Sequence, residues 1–150
     1  MSPVCYEGEP PPTILVADDN PDMMGILTRF LSKAGMVALP AYDGRQCLEQ
    51  VSRGAIDVIV VDMMMSGMDS LEVCAALKKM ATACSIPIIL LTAKDDLDTH
   101  LAAMRLGVSE FLLKPVRGWD LLARIRVHVE FNRKAREMDR ALHSLQEAGA

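Results

Sequence analysis

"IDVIVVDMMMSGMDS" (Ile56–Ser70) runs four apolar residues, Val58 to Val61, straight into one acid, Asp62. A carboxylate at the end of a buried strand loses hydration, which costs free energy unless a partner compensates it. The apolar run is continuous rather than alternating, so both faces of this strand are buried, as in parallel sheets covered by helices.

Outward from this strand, the chain alternates between short apolar runs and longer helical periods. "TILVA" (Thr13–Ala17) and "IPIILLT" (Ile86–Thr92) are strands of the same buried kind. "MVALPA" (Met36–Ala41) is weaker, and Pro40 puts it at an edge or a strand end. "EFLL" (Glu110–Leu113) is a short fifth strand. Between them, "DMMGILTRFLSKAG" places Met23, Ile26, Leu27, Phe30 and Leu31 on one helical face and stops at Gly35. "DGRQCLEQVSRG" is a short helix with a glycine at its end. "SLEVCAALKKM" is a helix that Ser70 can cap, and "DLDTHLAAMRLG" one that ends on Gly107. From about Trp119 onward there is one long helical pattern. The predicted fold is α/β: a doubly wound five-stranded parallel sheet flanked by five helices, with an extended C-terminal helix.

Ligands of such sheets bind at the C-terminal ends of the strands, at a topological switch point. The first strand ends in Asp18 and Asp19, the third in Asp62, the fourth in Thr92, and the fifth in Lys114 and Pro115. Each residue has a plain alternative: an acidic pair can simply open the next helix, Thr92 can close a turn, and Lys114 can be a solvated loop lysine. Together they are chemically coherent. Three converging carboxylates repel one another unless a cation sits between them, and all-oxygen ligands select Mg²⁺ or Mn²⁺ over zinc. A hydroxyl and an ammonium suit the equatorial oxygens of a transferred phosphoryl group. An aspartate can itself be the covalent nucleophile, so Asp62 is a candidate phosphoacceptor.

At these residues the chain resembles the receiver domain of two-component response regulators. The resemblance covers roughly Thr13 to Val129 and rests on "ILVADDN", "VDMMMSGMDS", "PIILLTAK" and "EFLLKPV". It implies a flavodoxin-like fold and transfer of a phosphoryl group, with Mg²⁺, from a sensor histidine kinase or phosphotransfer protein. Asp62 then matches the phosphorylated aspartate, Asp19 the direct metal ligand, and Asp18 the ligand acting largely through water. The backbone carbonyl of Met64 falls at the third protein-ligand position. Thr92 and Lys114 match the phosphoryl-binding pair and Phe111 the aromatic switch residue. The resemblance also implies a cis bond between Lys114 and Pro115. Two positions depart from the family's pattern: Ser66 stands where a proline is common, and Ser70 where a glycine is. Met64 and Lys94 sit where the family tunes the lifetime of its phosphate. Met63, Met64, Met65 and Met68 form a thioether patch, read either as core filling by Met63 and Met65 or as an adaptable partner surface.

The tail "RVHVEFNRKAREMDRALHSLQEAGA" is longer than this fold needs. Phe131, Ala135, Met138, Leu142 and Leu145 recur at heptad spacing. Two readings stand side by side, a coiled-coil seam and an amphipathic helix folded back on the domain. With Glu130, Glu137 and Asp139 among Arg133, Lys134, Arg136 and Arg140, the basic residues read as a solvated face rather than a nucleic-acid surface. The organisation expected is a flexible leader over 1–12, a receiver domain over 13–129 and a helical extension or linker over 130–150. A homodimer through the fourth helix, fifth strand, fifth helix and tail is possible. The chain reads as a stand-alone regulator or as the receiver part of a longer protein.

Charge supports this division. Residues 1–116 hold 9 basic and 15 acidic side chains, whereas residues 117–150 hold 7 and 5. The overall charge of −4 argues against nucleic acid as a partner of the whole chain. The four cysteines show no zinc-ligand spacing and read as free thiols. Neither a signal peptide nor a membrane span is evident, nor lipidation at Cys5, and a cytoplasmic protein is expected. Two rivals fit less well. An aspartyl-phosphate phosphatase of the haloacid-dehalogenase type wants an acid where Met64 stands, and a binding-only pseudo-receiver usually lacks one of the acids or the lysine. The expectation is a signalling module that catalyses only its own phosphorylation and dephosphorylation.

Overall fold

The computed structural model describes residues 9–65, 69–80, 83–93 and 96–148. The strands are β1 (Thr13–Ala17), β2 (Val37–Ala41), β3 (Val58–Asp62), β4 (Ile88–Thr92) and β5 (Glu110–Leu113). The helices are α1 (Pro21–Lys33), α2 (Gly44–Arg53), α3 (Ser70–Lys79), α4 (Leu97–Arg105) and α5 (Gly118–Ala148). All strand pairs are parallel, in the order β2-β1-β3-β4-β5. The order reverses between β1 and β3, which makes the crevice at their C-terminal ends the switch point. The weak strand with Pro40 is an edge, as expected.

The continuous apolar strands fill two cores, one on each face of the sheet. Alternate side chains point to opposite faces, so Leu15, Ile59, Val61, Ile88 and Leu90 pack with Cys47 and Val51 of α2, Val73 and Leu77 of α3, and Ala103 of α4. Ile14, Val16, Val58, Val60 and Ile89 pack instead with Met24 and Leu31 of α1 and Leu121, Ile125 and Val129 of α5. Each fully buried Val, Ile or Leu contributes about 1.5–3 kcal/mol, and this double burial is why β3 and β4 carry no polar residue before their last and β1 none after Thr13. Burial pushes the thiols of Cys47 and Cys74 up to about 12 and about 11, so both stay protonated and unreactive. Gly35 and Gly107 follow α1 and α4 with φ of 85° and 88°, the left-handed turn that an L side chain resists.

Two expectations need correction, and one of the two open readings of the tail is set aside. The core face of α1 is set by Met24 and Leu31; Met23 and Ile26 are 39 % and 62 % exposed, because the sheet contacts the neighbouring i, i+3, i+7 stripe. The cap of α3 is Asp69, whose carboxylate accepts the N–H of Leu71, while Ser70 is the first helical residue. The tail does not fold back: α5 is one uninterrupted helix of 31 residues. Met65 is buried and Met63 packs against the core, as expected, while Met64 is exposed. Ser66, Met68, Lys94 and Cys5 lie outside the described residues. No helix among the described residues is long and apolar enough to cross a membrane.

Candidate functional site

The site is built from the turns that leave β1, β3, β4 and β5. After β1 the Asp18 N–H donates to Ala41 O at 3.0 Å, which holds the chain against the end of β2. The Asp18 carboxylate accepts the Asn20 N–H at 2.9 Å, and Asn20 in turn caps α1 by accepting from the N–H groups of Asp22 and Met23. The turn that starts α1 therefore also orients Asp18. Asn20 is a positioning residue that sequence reading passed over, although Asn before Pro-Asp is a cap signal.

Carboxylate oxygens of Asp18, Asp19 and Asp62 lie within 4.8 Å of one another. Asp18 and Asp62 are 2 % and 5 % exposed, and Asp19 is half-buried. Burial raises the pKa of Asp18; the Asn20 amide opposes this, the Asp62 charge raises it further and Lys114 lowers it. Among the described residues, three buried or half-buried acids stand beside one lysine, an excess of negative charge, and the oxygen-only donor set suits a hard divalent cation. The residues present thus fit a metal, with the carboxylates of Asp18, Asp19 and Asp62 as its candidate holders.

Asp62 is anchored through both its side chain and its backbone. Its Oδ1 accepts the Lys114 ammonium at 2.8 Å and the Met64 N–H at 3.2 Å. Its carbonyl accepts the Ser70 hydroxyl at 2.6 Å, and the next N–H, of Met63, donates to Leu91 O at 2.7 Å. Ser70 is 1 % exposed. Its hydroxyl ties the start of α3 to the end of β3 across eight residues, a contact that local spacing does not signal.

Lys114 leaves β5 with its N–H donating to Thr92 O at 2.7 Å, and the Lys114–Pro115 bond is cis, as the resemblance implied. Thr92, at the end of β4, is fully buried. Phe111 is half-buried in β5, its ring centroid 3.7 Å from that of His100, which couples β5 to α4. The structure therefore brings Asp18, Asp19, Asp62 and Lys114 into one cluster, sets Thr92 and Met64 on adjoining backbone, and leaves Phe111 on the α4 side of the sheet. Beside the cluster, between α1 and α5, lies a cavity of about 370 Å³ lined by Asp18, Met23, Leu27, Lys114, Pro115 and Leu121, among others.

Comparison with known proteins agrees with this geometry. The response regulator receiver domain family matches residues 14–126. The response regulator MprA of Mycolicibacterium vanbaalenii is 38 % identical over 116 residues, covering 77 % of this chain and 49 % of that protein. The transcriptional regulatory protein TcrA of Mycobacterium tuberculosis is 34 % identical over 113 residues, covering 75 % and 44 %. The chain spans about half the length of the curated relatives it matches. Among solved structures, the signal receiver domain of an HD domain-containing protein from Pseudomonas fluorescens superposes with a TM-score of 0.79 at 25 % identity, covering 89 % of this chain and 97 % of that one. The receiver domain of a Francisella response regulator gives 0.74 at 27 % identity, covering 79 % and 97 %.

Proposed function

The chain belongs to the response regulator receiver family of two-component systems, and on that premise we propose that Asp62 accepts a phosphoryl group from a histidine kinase or phosphotransfer protein. The observation that carries this reading is the Lys114 ammonium 2.8 Å from Asp62 Oδ1, beside a carboxylate cluster fit for a metal. An Asp62 carboxylate oxygen bonds to phosphorus as the donor's bond to phosphorus breaks, giving an acyl phosphate. The Lys114 ammonium and the Thr92 hydroxyl hold the phosphoryl oxygens, where negative charge is spread in the transition state. Mg²⁺ or Mn²⁺, held by Asp18, Asp19, Asp62 and the Met64 carbonyl, supplies neutralisation of that charge when bound. The chain catalyses only its own phosphorylation and dephosphorylation.

The output follows from the same contacts. Phosphoryl oxygens on Asp62 draw the Thr92 hydroxyl towards them, and Phe111 turns inward from its place beside His100. The face made by α4, β5 and α5 then changes shape. It carries exposed apolar side chains, among them Leu101, Met104, Leu113 and Val127, and is where a partner or second copy docks in a phosphorylation-dependent way. Residues 13–129 are the receiver in this reading, and residues 130–150 a C-terminal helical extension or linker. The working compartment is the cytoplasm.

Acetyl phosphate with Mg²⁺ tests the reading directly. One base-labile, hydroxylamine-sensitive phosphoryl group per chain is expected, and none when EDTA removes the metal. Uptake that is indifferent to EDTA would contradict it. Metal affinity is expected to fall further in Asp19→Asn than in Asp18→Asn, since a direct ligand loses more than one acting through water. Titration of Mg²⁺ against intrinsic Trp119 fluorescence measures both, and equal affinities would remove the distinction.

A further inference from the structure

The two ends of α4 are held unequally. At its C-terminal end Ala103 and Val108 are buried, and the Val108 N–H donates to Ala103 O at 3.2 Å. Gly107 turns the chain with φ of 88°, and its N–H donates to Met104 O at 3.1 Å. The Ser109 N–H then donates to Ile88 O at 2.9 Å, while the Ser109 hydroxyl accepts the Ile88 N–H at 3.3 Å. The end of α4 is thereby fastened to the start of β4. The side chain of Lys78 in α3 also lies against Gly107, its Cε 3.3 Å from where a Cβ would stand.

The N-terminal half of α4 sits further out. Leu97, Asp98 and Leu101 are exposed, and Thr99 and His100 are half-buried. The Asp96 carboxylate caps the helix locally, accepting the Thr99 N–H at 2.7 Å and the Thr99 hydroxyl at 2.8 Å. A helix of nine residues is marginal in water without packing. From this half the His100 ring reaches the sheet, its centroid 3.7 Å from that of Phe111 and the ring planes 49° apart. Phe111 packs against the core on the face covered by α2, α3 and α4. It lies opposite Leu90 of β4 and stands three residues before Lys114, which bonds to Asp62. His100 thus links the outer half of α4 to the strand whose end enters the site.

We propose that His100 is a positioning residue that latches the N-terminal half of α4 to β5 through the Phe111 ring. With the contact made, α4 is fixed at both ends. With it broken, residues 97–102 swing about the end anchored by Ala103, Gly107 and Val108. A pair of rings in contact stabilises beyond the area it buries, and the contact is lost as a unit when either ring leaves. The latch also bears on phosphorylation by linkage. Where Phe111 leaves His100 on phosphorylation, the contact favours the resting state, and its removal favours the phosphorylated one by the same factor. That second consequence rests on Asp62 being the phosphoacceptor; the hold on α4 does not.

Amide hydrogen exchange of the full chain without a phosphoryl donor tests the latch. In His100→Ala, the amides of residues 100–104 are expected to exchange about 3–10-fold faster than in the wild type, with the strands unchanged. His100→Phe keeps a ring on Phe111 and should stay within about twofold of the wild type. The double variant His100→Ala/Phe111→Leu should exchange no faster than Phe111→Leu alone, because the two side chains make one contact. The phosphoryl mimic beryllium fluoride, with Mg²⁺, is expected to bind His100→Ala about 3–10-fold tighter, read by Trp119 fluorescence. Unchanged exchange in α4, faster exchange spread over the whole chain, a His100→Phe variant as open as His100→Ala, or additive effects in the double variant each overturns the latch. Equal or weaker beryllium fluoride binding overturns its link to Asp62. A wild-type chain that binds no beryllium fluoride would count against Asp62 as phosphoacceptor, and the exchange result would still decide the latch.

Discussion

Asp62→Ala is expected to take up no phosphoryl group from acetyl phosphate and Mg²⁺ under conditions that load the wild-type chain once. The three clustered acids are not equivalent. Asp18 is turned into a local hydrogen bond with the Asn20 amide, and Asp19 stands at the half-buried margin. Asp62 has its carboxylate bonded to the Lys114 ammonium and its backbone pinned from two sides, by the Ser70 hydroxyl and by the β4 ladder. A nucleophile must sit within reach of the groups that hold the transferring phosphoryl oxygens, and that condition selects Asp62. Removing it removes the bond-forming atom, so the effect is loss of the product rather than a slower approach to it. Intact mass in the presence of the donor reads the result. Unchanged loading of Asp62→Ala would overturn the assignment of the acceptor and with it the role given to Lys114.

Lys114→Ala is expected to leave Asp62 in place and to slow phosphoryl uptake by about 10²–10³-fold, the usual cost of deleting one preorganised charge-stabilising donor. Two effects act in the same direction. The ammonium no longer meets the charge that develops on the phosphoryl oxygens, and the carboxylate cluster loses the cation bonded to Asp62. The rate should be followed at saturating Mg²⁺, so that altered metal binding does not enter. A variant that loads as fast as the wild type would show that Lys114 serves only to pair with Asp62 in the resting state.

Much of the fold was legible because double burial writes itself into composition. β1, β3 and β4 read as unbroken apolar runs since both of their faces meet helices, and the helices between them show the 3.6-residue period of single-sided burial. The acids and the lysine were legible for the complementary reason, that a charge directly after a buried strand has no packing role there. Local pattern failed where two stripes of one helix were both apolar. Met23 and Ile26 belong to a plausible helical face, yet the sheet touches Met24 and Leu31 instead. It failed again at Ser70, a good cap residue by type, because Asp69 took the cap and freed the hydroxyl to reach the Asp62 carbonyl.

The amino-acid sequence by itself determined the order of strands and helices, the polar residue at each strand end, and the heptad seam of the tail, since each depends on periodicity or on neighbours a few residues apart. Tertiary structure alone settled which stripe of α1 is core, that Ser70 holds the backbone of Asp62, and that Asp57 clamps Arg133 and Arg136. The clamp joins residues 76 and 79 positions apart. No local pattern encodes such a pairing, because a carboxylate and a guanidinium on separate elements come into register only when the sheet and α5 have packed and the chain entropy of bringing them together has already been met by apolar burial.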